Sequence, residues 1–223
     1  MSTPEESATG GGPAGPALRR GIPVGAEQQV AALYWEAFGR KLGPALGPPD
    51  RGRAFLAAHL HHDRGVVALD GTGRVVGVAG YRLAGRGLTG GSARDVLSAY
   101  GLAAGLPRLA LLALLDREPA GAELLMDGIC VAAAHRGAGI GGLLLGEIAA
   151  VAAENGCTRI RLDVVDTNPR ARALYTRHGF RALHTRRTSF LRGPMGFGAV
   201  TAMHRSVVPD GAGRGGAAPC PGL

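Results

Sequence analysis

The sequence predicts an α+β domain built on a mixed β-sheet, and three observations predict it. Short β-branched runs such as Gly65–Leu69 and Arg159–Val165 alternate with segments whose apolar residues recur at helical spacing. A hydrophobic share of 46% against a charged share of 19% is the composition of a chain with a core, not of a disordered one. Finally, the strand-like run Glu123–Val131 passes through a glycine-rich turn directly into an apolar helix.

The elements follow in order. Leu18–Pro23 reads as a first strand, and Ala26–Gly39 as a helix with Val30, Leu33, Tyr34, Ala37 and Phe38 on one stripe. Pro44, Pro48 and Pro49 break the chain, after which Asp50 is placed to cap a second helix carrying Phe55, Leu56, His59 and Leu60. Gly65–Leu69 and Arg74–Leu83 flank Asp70-Gly71-Thr72-Gly73 and form a hairpin. Ala93–Tyr100 and Leu106–Leu115 are helical, with Pro107 near the start of the second. Glu123–Val131 is a strand, and Leu143–Glu154 is a helix closed by Asn155-Gly156. Arg159–Val165 is again a strand. Asn168-Pro169 opens a helix with an N-cap residue and a proline at the first helical position, and that helix ends at His178-Gly179. Phe180–Ser189 and Ala199–Val207 are final strands around Gly193-Pro194-Met195-Gly196. The domain is expected over 18–208, with a helical insert at about 85–121. Residues 1–17 and 209–223, rich in Gly and Pro, are expected to be disordered tails.

Composition removes several classes. Gly 38 and Pro 14 follow no Gly-X-Y period, so the chain is not collagen-like. No apolar run free of charges and breaks is long enough to span a membrane. The net charge is +8, but the basic residues are scattered and almost all arginine, Lys41 being the sole lysine. That distribution argues against a nucleic-acid partner. Cys130, Cys157 and Cys220 form no CxxC pair, and an odd count argues against a disulfide framework. The acidic N-terminus lacks an apolar segment, so a cytoplasmic location is expected.

The most informative stretch is Val131 to Leu143. Gly137, Gly139, Gly141 and Gly142 stand in a turn between strand and helix, next to Arg136. Bare backbone lets successive N–H groups face one ligand, and the helix N-terminus adds unpaired donors and partial positive charge. The pattern suits a diphosphate. A P-loop is excluded because no Lys follows the glycines. A dinucleotide fingerprint fits Gly137, Gly139 and Gly142, with Asp163 further on, but the turn lies too far beyond Val131 and no series of βαβ units follows.

Arg136-Gly137-Ala138-Gly139-Ile140-Gly141 resembles the R/Q-x-x-G-x-G/A motif of the GNAT acyltransferase superfamily, and Leu174-Tyr175-Thr176-Arg177-His178-Gly179-Phe180 resembles the end of its later helix. The two motifs stand in the family's order and spacing, over Glu123–Phe180. The resemblance implies a central, mostly antiparallel sheet of 6–7 strands flanked by helices. It also implies transfer of an acyl group, usually acetyl, from acetyl-CoA to a primary amine that attacks the thioester directly. The enzyme's work is then positioning and electrostatics. By the same resemblance Arg136, Gly137, Ala138, Gly139, Ile140, Gly141 and Gly142 hold the pyrophosphate. The backbone N–H of Val131 or Cys130 polarises the thioester carbonyl, and Asn168 contacts the cofactor while also serving as N-cap. Tyr175 protonates the leaving thiolate; its bland reading is packing on its own helix.

Asp127 is the first candidate for the general base, and Glu123 the second. Strict alternation puts Asp127 on the face with Leu125, Ile129 and Val131, where a lone charge is costly. Gly128 hints at a bulge that re-aims it. The alternative for Asp127 is a capping or salt-bridged carboxylate. Arg172 is read as solvent-facing. His59, His61, His62 and Asp63 have poor metal-site spacing, and no metal is expected. Cys130 is read as a small core residue. The acceptor pocket falls to about Tyr34–Arg64 and Gly85–Gly121, and the acceptor is a small-molecule or peptide amine, with a homodimer allowed. A non-catalytic acyl-CoA-binding module is the competing reading.

Overall fold

A computed structural model describes residues 15–115, 121–189 and 192–207. The chain folds as β1 (Ala17–Arg20), α1 (Glu27–Leu46), α2 (Pro49–Ala58), β2 (Gly65–Leu69), β3 (Val75–Arg82), α3 (Ala93–Leu115), β4 (Glu123–Val131), α4 (Ile140–Glu154), β5 (Arg159–Val165), α5 (Pro169–Arg177), β6 (Arg181–Arg187), α6 (Arg192–Met195) and β7 (Ala199–Ser206). The strands form one sheet in the order β1-β2-β3-β4-β5-β7-β6. All neighbours are antiparallel except β4 and β5. The expected mixed, mostly antiparallel sheet is therefore present.

Both faces of the sheet are covered, so strand residues divide between two cores. Val66 and Ala68 pack with Leu144, Leu145 and Ile148 of α4. Val67 and Val78 pack with Val30 and Tyr34 of α1 and with Phe55 of α2. The β2–β3 hairpin is tied by Asp70, whose carboxylate accepts the N–H groups of Thr72 at 2.9 Å and Arg74 at 3.0 Å.

Several boundaries differ from expectation, each for a local reason. α1 runs past Pro44, which lies in its last turns, and ends where Gly47 N–H bonds Gly43 O at 2.7 Å. Asp50 is not the N-cap of α2. Pro48 holds that position, and Asp50 sits in the first turn, paired with Arg53 and favoured by the helix dipole. The two helices expected in the insert are present within α3, joined at Gly101, which leaves the helical path at φ 75° and ψ 168° directly after Tyr100. Ala93–Ala113 within α3 is, by length and composition, the one stretch among the described residues apolar enough to cross a membrane. It carries this break and Pro107, and Tyr100 of the same helix donates to Leu46 O at 2.6 Å. The turn expected around Gly193 contains the short helix α6. The expected tails lie outside the described residues apart from 15–17, of which Ala17 opens β1.

Candidate active site

The sheet opens at its centre. β4 pairs with β5 only at Glu123, Leu124 and Leu125, while from Met126 onward it stays with β3. Its other edge is left bare, and the register decides which groups line it. Ala132 N–H bonds Val76 O at 2.9 Å. Antiparallel bonds recur on every second residue, so Gly128 and Cys130 face β3. Ile129 then presents N–H and C=O to the opening, and Val131 its N–H, its carbonyl being taken by Arg136. Of the two residues expected at the thioester, Val131 and its neighbour Cys130, this parity turns the backbone N–H of Val131 to the opening and that of Cys130 to β3. The Cys130 thiol is buried on the α1 side, and desolvation pushes its pKa up to about 12, which suits an inert core thiol.

The expected bulge is present, and it falls on Asp127. Gly80 faces Gly128 and Tyr81 faces Met126, which leaves Asp127 without a register partner. The extra residue reverses the alternation. Leu124 and Met126 pack toward α4 before it, and Ile129 and Val131 do so after it. Asp127 therefore shares a cavity wall with Leu125 but not a face with Ile129 and Val131, correcting the unbroken alternation read from sequence. Its Oδ2 accepts the N–H of Leu88 at 2.7 Å, and Oδ1 lies 3.9 Å from Arg82 Nε. Gly87 makes room for it, since a Cβ there would fall 2.4 Å from Oδ2. The Tyr34 hydroxyl donates to the Asp127 carbonyl at 3.4 Å.

Beyond β4 the chain makes a 3-10 turn at Ala133–His135 and enters α4 through Gly137 at φ 88° and Gly139 at φ 78°, both left-handed. An L side chain is strained there, which accounts for these two glycines. Gly142 N–H already bonds Gly139 O at 2.9 Å. Among the described residues no acceptor takes the N–H groups of Gly137, Ala138, Gly139, Ile140 or Gly141, so these five remain for a ligand. Gly141 and Gly142 have a second reason to lack side chains. A Cβ would lie 3.1 Å from Leu174 Cδ2 in the first case, a tight approach, and 2.8 Å from His178 Cε1 in the second, where the imidazole would have to shift. Arg136 folds back, Nε donating to Val131 O at 3.0 Å and Nη2 to Glu36 at 3.0 Å.

α5 closes the far side of the opening. Asn168 Oδ1 accepts the N–H of Ala171 at 3.0 Å, so its N-cap role is realised, and Pro169 takes the first helical position. The helix carries Tyr175 inward, 6% exposed, with its ring centroid 5.8 Å from that of Phe180. Desolvation, with a smaller contribution from Cys130, pushes the phenol well above its usual range. The phenol is protonated at neutral pH, as an unperturbed one is, and burial makes it harder to ionise.

Two cavities meet at the bulge. One of about 310 Å³ lies between β4 and β5 and is lined by Phe38, Gly128, Ile129, Val164, Asn168 and Tyr175. The other, of about 540 Å³, lies on the α1–α3 side and is lined by Tyr34, Arg82, Arg86, Leu109 and Leu112 among others. Lys41, Met126 and Asp127 line both. Lys41 and Arg82 were not singled out from the sequence; the one available signal was that Lys41 is the only lysine in an arginine-rich chain.

The remaining candidates lie elsewhere. Glu123 is buried and paired with Arg159 at 3.1 Å and Arg161 at 3.5 Å, where β4 and β5 are still joined. Arg172 is exposed. The histidines diverge: His59 bonds Phe55 O, His61 bonds Gly87 O, and His62 lies 3.3 Å from Glu27. Among the described residues no three His, Cys, Asp or Glu converge as a metal site.

A sheet splayed beside a bulged central strand, with a glycine turn feeding a helix N-terminus, defines an acyltransferase-type fold. Residues 28–180 match the acetyltransferase (GNAT) family, and the chain belongs to that family. Among solved structures it resembles a GCN5-related N-acetyltransferase from Kribbella flavida, at 21% identity over 86% of this chain and 98% of that one, TM-score 0.55. It also resembles a phosphinothricin acetyltransferase from Sinorhizobium meliloti in complex with AcCoA, at 15% identity over 92% and 94% of the two chains, TM-score 0.55. A thialysine N-epsilon-acetyltransferase of Bos taurus is 40% identical over 55 residues, which is 25% of this chain and 32% of that protein.

Proposed function

We propose that the protein transfers an acetyl group from acetyl-CoA to a primary amine. One observation carries this reading. The bare edge of β4, offering Ile129 and Val131, leads straight into the free N–H groups of Gly137–Gly141, and Tyr175 stands across the same opening. An extended chain ending in a diphosphate fits that sequence of donors. Gly137, Ala138, Gly139, Ile140 and Gly141 would hold the diphosphate. Arg136 would join them by leaving Glu36, an exposed pair that exchanges at little cost. Asn168 fixes the start of α5 at the edge of the same cavity.

Acetyl-CoA supplies an activated thioester. The acceptor amine comes from the cavity on the other side of Asp127, forms the new C–N bond, and the C–S bond breaks. Asp127 receives the proton that the amine loses, and Tyr175 gives its proton to the departing thiolate. The reading is tested by thiol release from acetyl-CoA across an amine panel. Activity should appear with the native chain and vanish in Gly139→Glu, which puts a carboxylate where the diphosphate is expected. Release that survives this substitution would overturn the assignment.

A further inference from the structure

We propose that the 540 Å³ cavity selects acceptor amines that also carry an anionic group and an apolar body, the chemistry of a free amino acid. This rests on the acetyl-transfer reading above. Among the described residues that line it, the charged ones are three cations, Lys41, Arg82 and Arg86, and one carboxylate, Asp127. That carboxylate is already engaged by Leu88 N–H and lies beside Arg82. Arg82 is only 17% exposed, so its charge is weakly screened by water. A second ammonium on the substrate would meet these cations at close range, whereas a carboxylate would be drawn to them. Arg86 is half-exposed and holds Asp63 at 3.5 Å, a loose rim pair that a substrate carboxylate can displace.

One side of the wall is apolar, formed by Leu42, Val96, Leu109 and Leu112, while His61 and Thr89 keep another side polar. A fully charged or sugar-like amine has no use for that surface, but an aliphatic or aromatic side chain buries against it. Lys41 stands at the junction of the two cavities and is the only lysine among 25 basic residues. A compact ammonium on a flexible stem holds positive charge at that junction without the planar bulk of a guanidinium. The substrate thus lies with its amine toward Asp127, its carboxylate toward Arg82 and Arg86, and its side chain against α3.

The test compares matched acceptors on the full chain with saturating acetyl-CoA: L-leucine against L-leucinamide, and L-phenylalanine against L-phenylalaninamide. The amides have less basic amines and are better supplied with free base at neutral pH, so a preference for the acids must come from the cavity. We expect kcat/KM to favour the acids by about tenfold or more, equivalent to about 1.4 kcal/mol. Arg86→Gln should narrow that ratio through KM for the acids. A second arm needs no turnover: calorimetric binding of N-acetyl-L-leucine should exceed that of N-acetyl-L-leucinamide and lose the difference in Arg86→Gln. Equal binding of acid and amide, or better turnover of 1,4-diaminobutane than of either acid, overturns the proposal and leaves acetyl transfer standing. Acid-selective binding with no thiol release from any amine overturns acetyl transfer and leaves the cavity's selectivity standing.

Discussion

The N–H of Leu88 points at the carboxylate of Asp127, 2.7 Å from Oδ2, and ties the bulge of the central strand to the loop after β3. The bond makes Asp127 a strut, a job separable from the proton-acceptor role proposed for it. An asparagine can still accept the Leu88 N–H but takes no proton at neutral pH. Asp127→Asn should therefore melt close to the native chain and lose about 10²–10⁴ in kcat/KM. Asp127→Ala should lose the same activity and, with Leu88 N–H left unsatisfied, about 1–3 kcal/mol of stability. Full activity of the asparagine variant at neutral pH would place the base elsewhere.

Gly87 offers a route to the same carboxylate without touching it. A Cβ at this position would sit 2.4 Å from Asp127 Oδ2, so the carboxylate would have to shift. Gly87→Ala should displace the carboxylate and lower kcat more than it raises KM for acetyl-CoA, because the diphosphate turn lies on another part of the chain. Steady-state kinetics that match the native chain would show that the carboxylate's placement is not used.

Tyr175 is a buried phenol, and desolvation raises its pKa above the usual range. Two consequences separate its roles. Tyr175→Phe keeps the packing against Phe180 but removes the proton, so kcat should fall by about 10²-fold or more with little change in melting temperature. The native pH–rate profile should show no alkaline loss from this group below about pH 10, the ordinary tyrosine value. An unchanged kcat in the phenylalanine variant would mean that the thiolate leaves without help.

The same burial predicts how the fold responds to alkali. All four tyrosines, Tyr34, Tyr81, Tyr100 and Tyr175, have their pKa raised, with desolvation the largest cause in each. Cys130 is raised to about 12, again mainly by desolvation. The folded chain thus keeps these protons to higher pH than the unfolded chain does, and stability falls wherever the unfolded state alone has released them. Loss should begin above about pH 8.5, where an unfolded cysteine titrates, and steepen above about pH 10 as unfolded tyrosines follow. Urea midpoints measured from about pH 7 to 11 check this; Cys130→Ala should remove the first part of the decline. A flat profile to pH 11 would contradict it.

What the sequence made legible were features written in local chemistry. The turn of Gly137 and Gly139 needs left-handed backbone, and Asn168-Pro169 announces a helix start, so both are readable from the residues alone. The split of β4 from β5 after Leu125 was not legible, because residues on either side of that point are equally strand-like. The bulge was hinted at by Gly128, but its effect on facing was not. Only the register shows that Asp127 is the unpaired residue and that Ile129 and Val131 change sides. Gly141 and Gly142 read as ligand-facing, yet the reason visible in the fold is the approach of Leu174 and His178, two turns of chain that no local pattern connects. The cationic wall of the larger cavity escaped for the same reason: Lys41, Arg82 and Arg86 come together only through the packing of α1 on β3.

Asn168 is where helix capping and ligand contact can be told apart. Its side chain accepts the N–H of Ala171 at 3.0 Å, and it lines the cavity that holds Tyr175. Asn168→Ala should cost about 1 kcal/mol by loss of the cap and, by loosening the start of α5, lower kcat through Tyr175. Aspartate is as good a cap as asparagine, so Asn168→Asp should restore the melting temperature. Its charge, however, would stand in the cavity assigned to acetyl-CoA and should raise the KM for that substrate. If the aspartate variant recovers stability, kcat and KM together, Asn168 acts only as a cap. If it recovers stability and kcat while KM for acetyl-CoA stays high, the side chain also meets the cofactor.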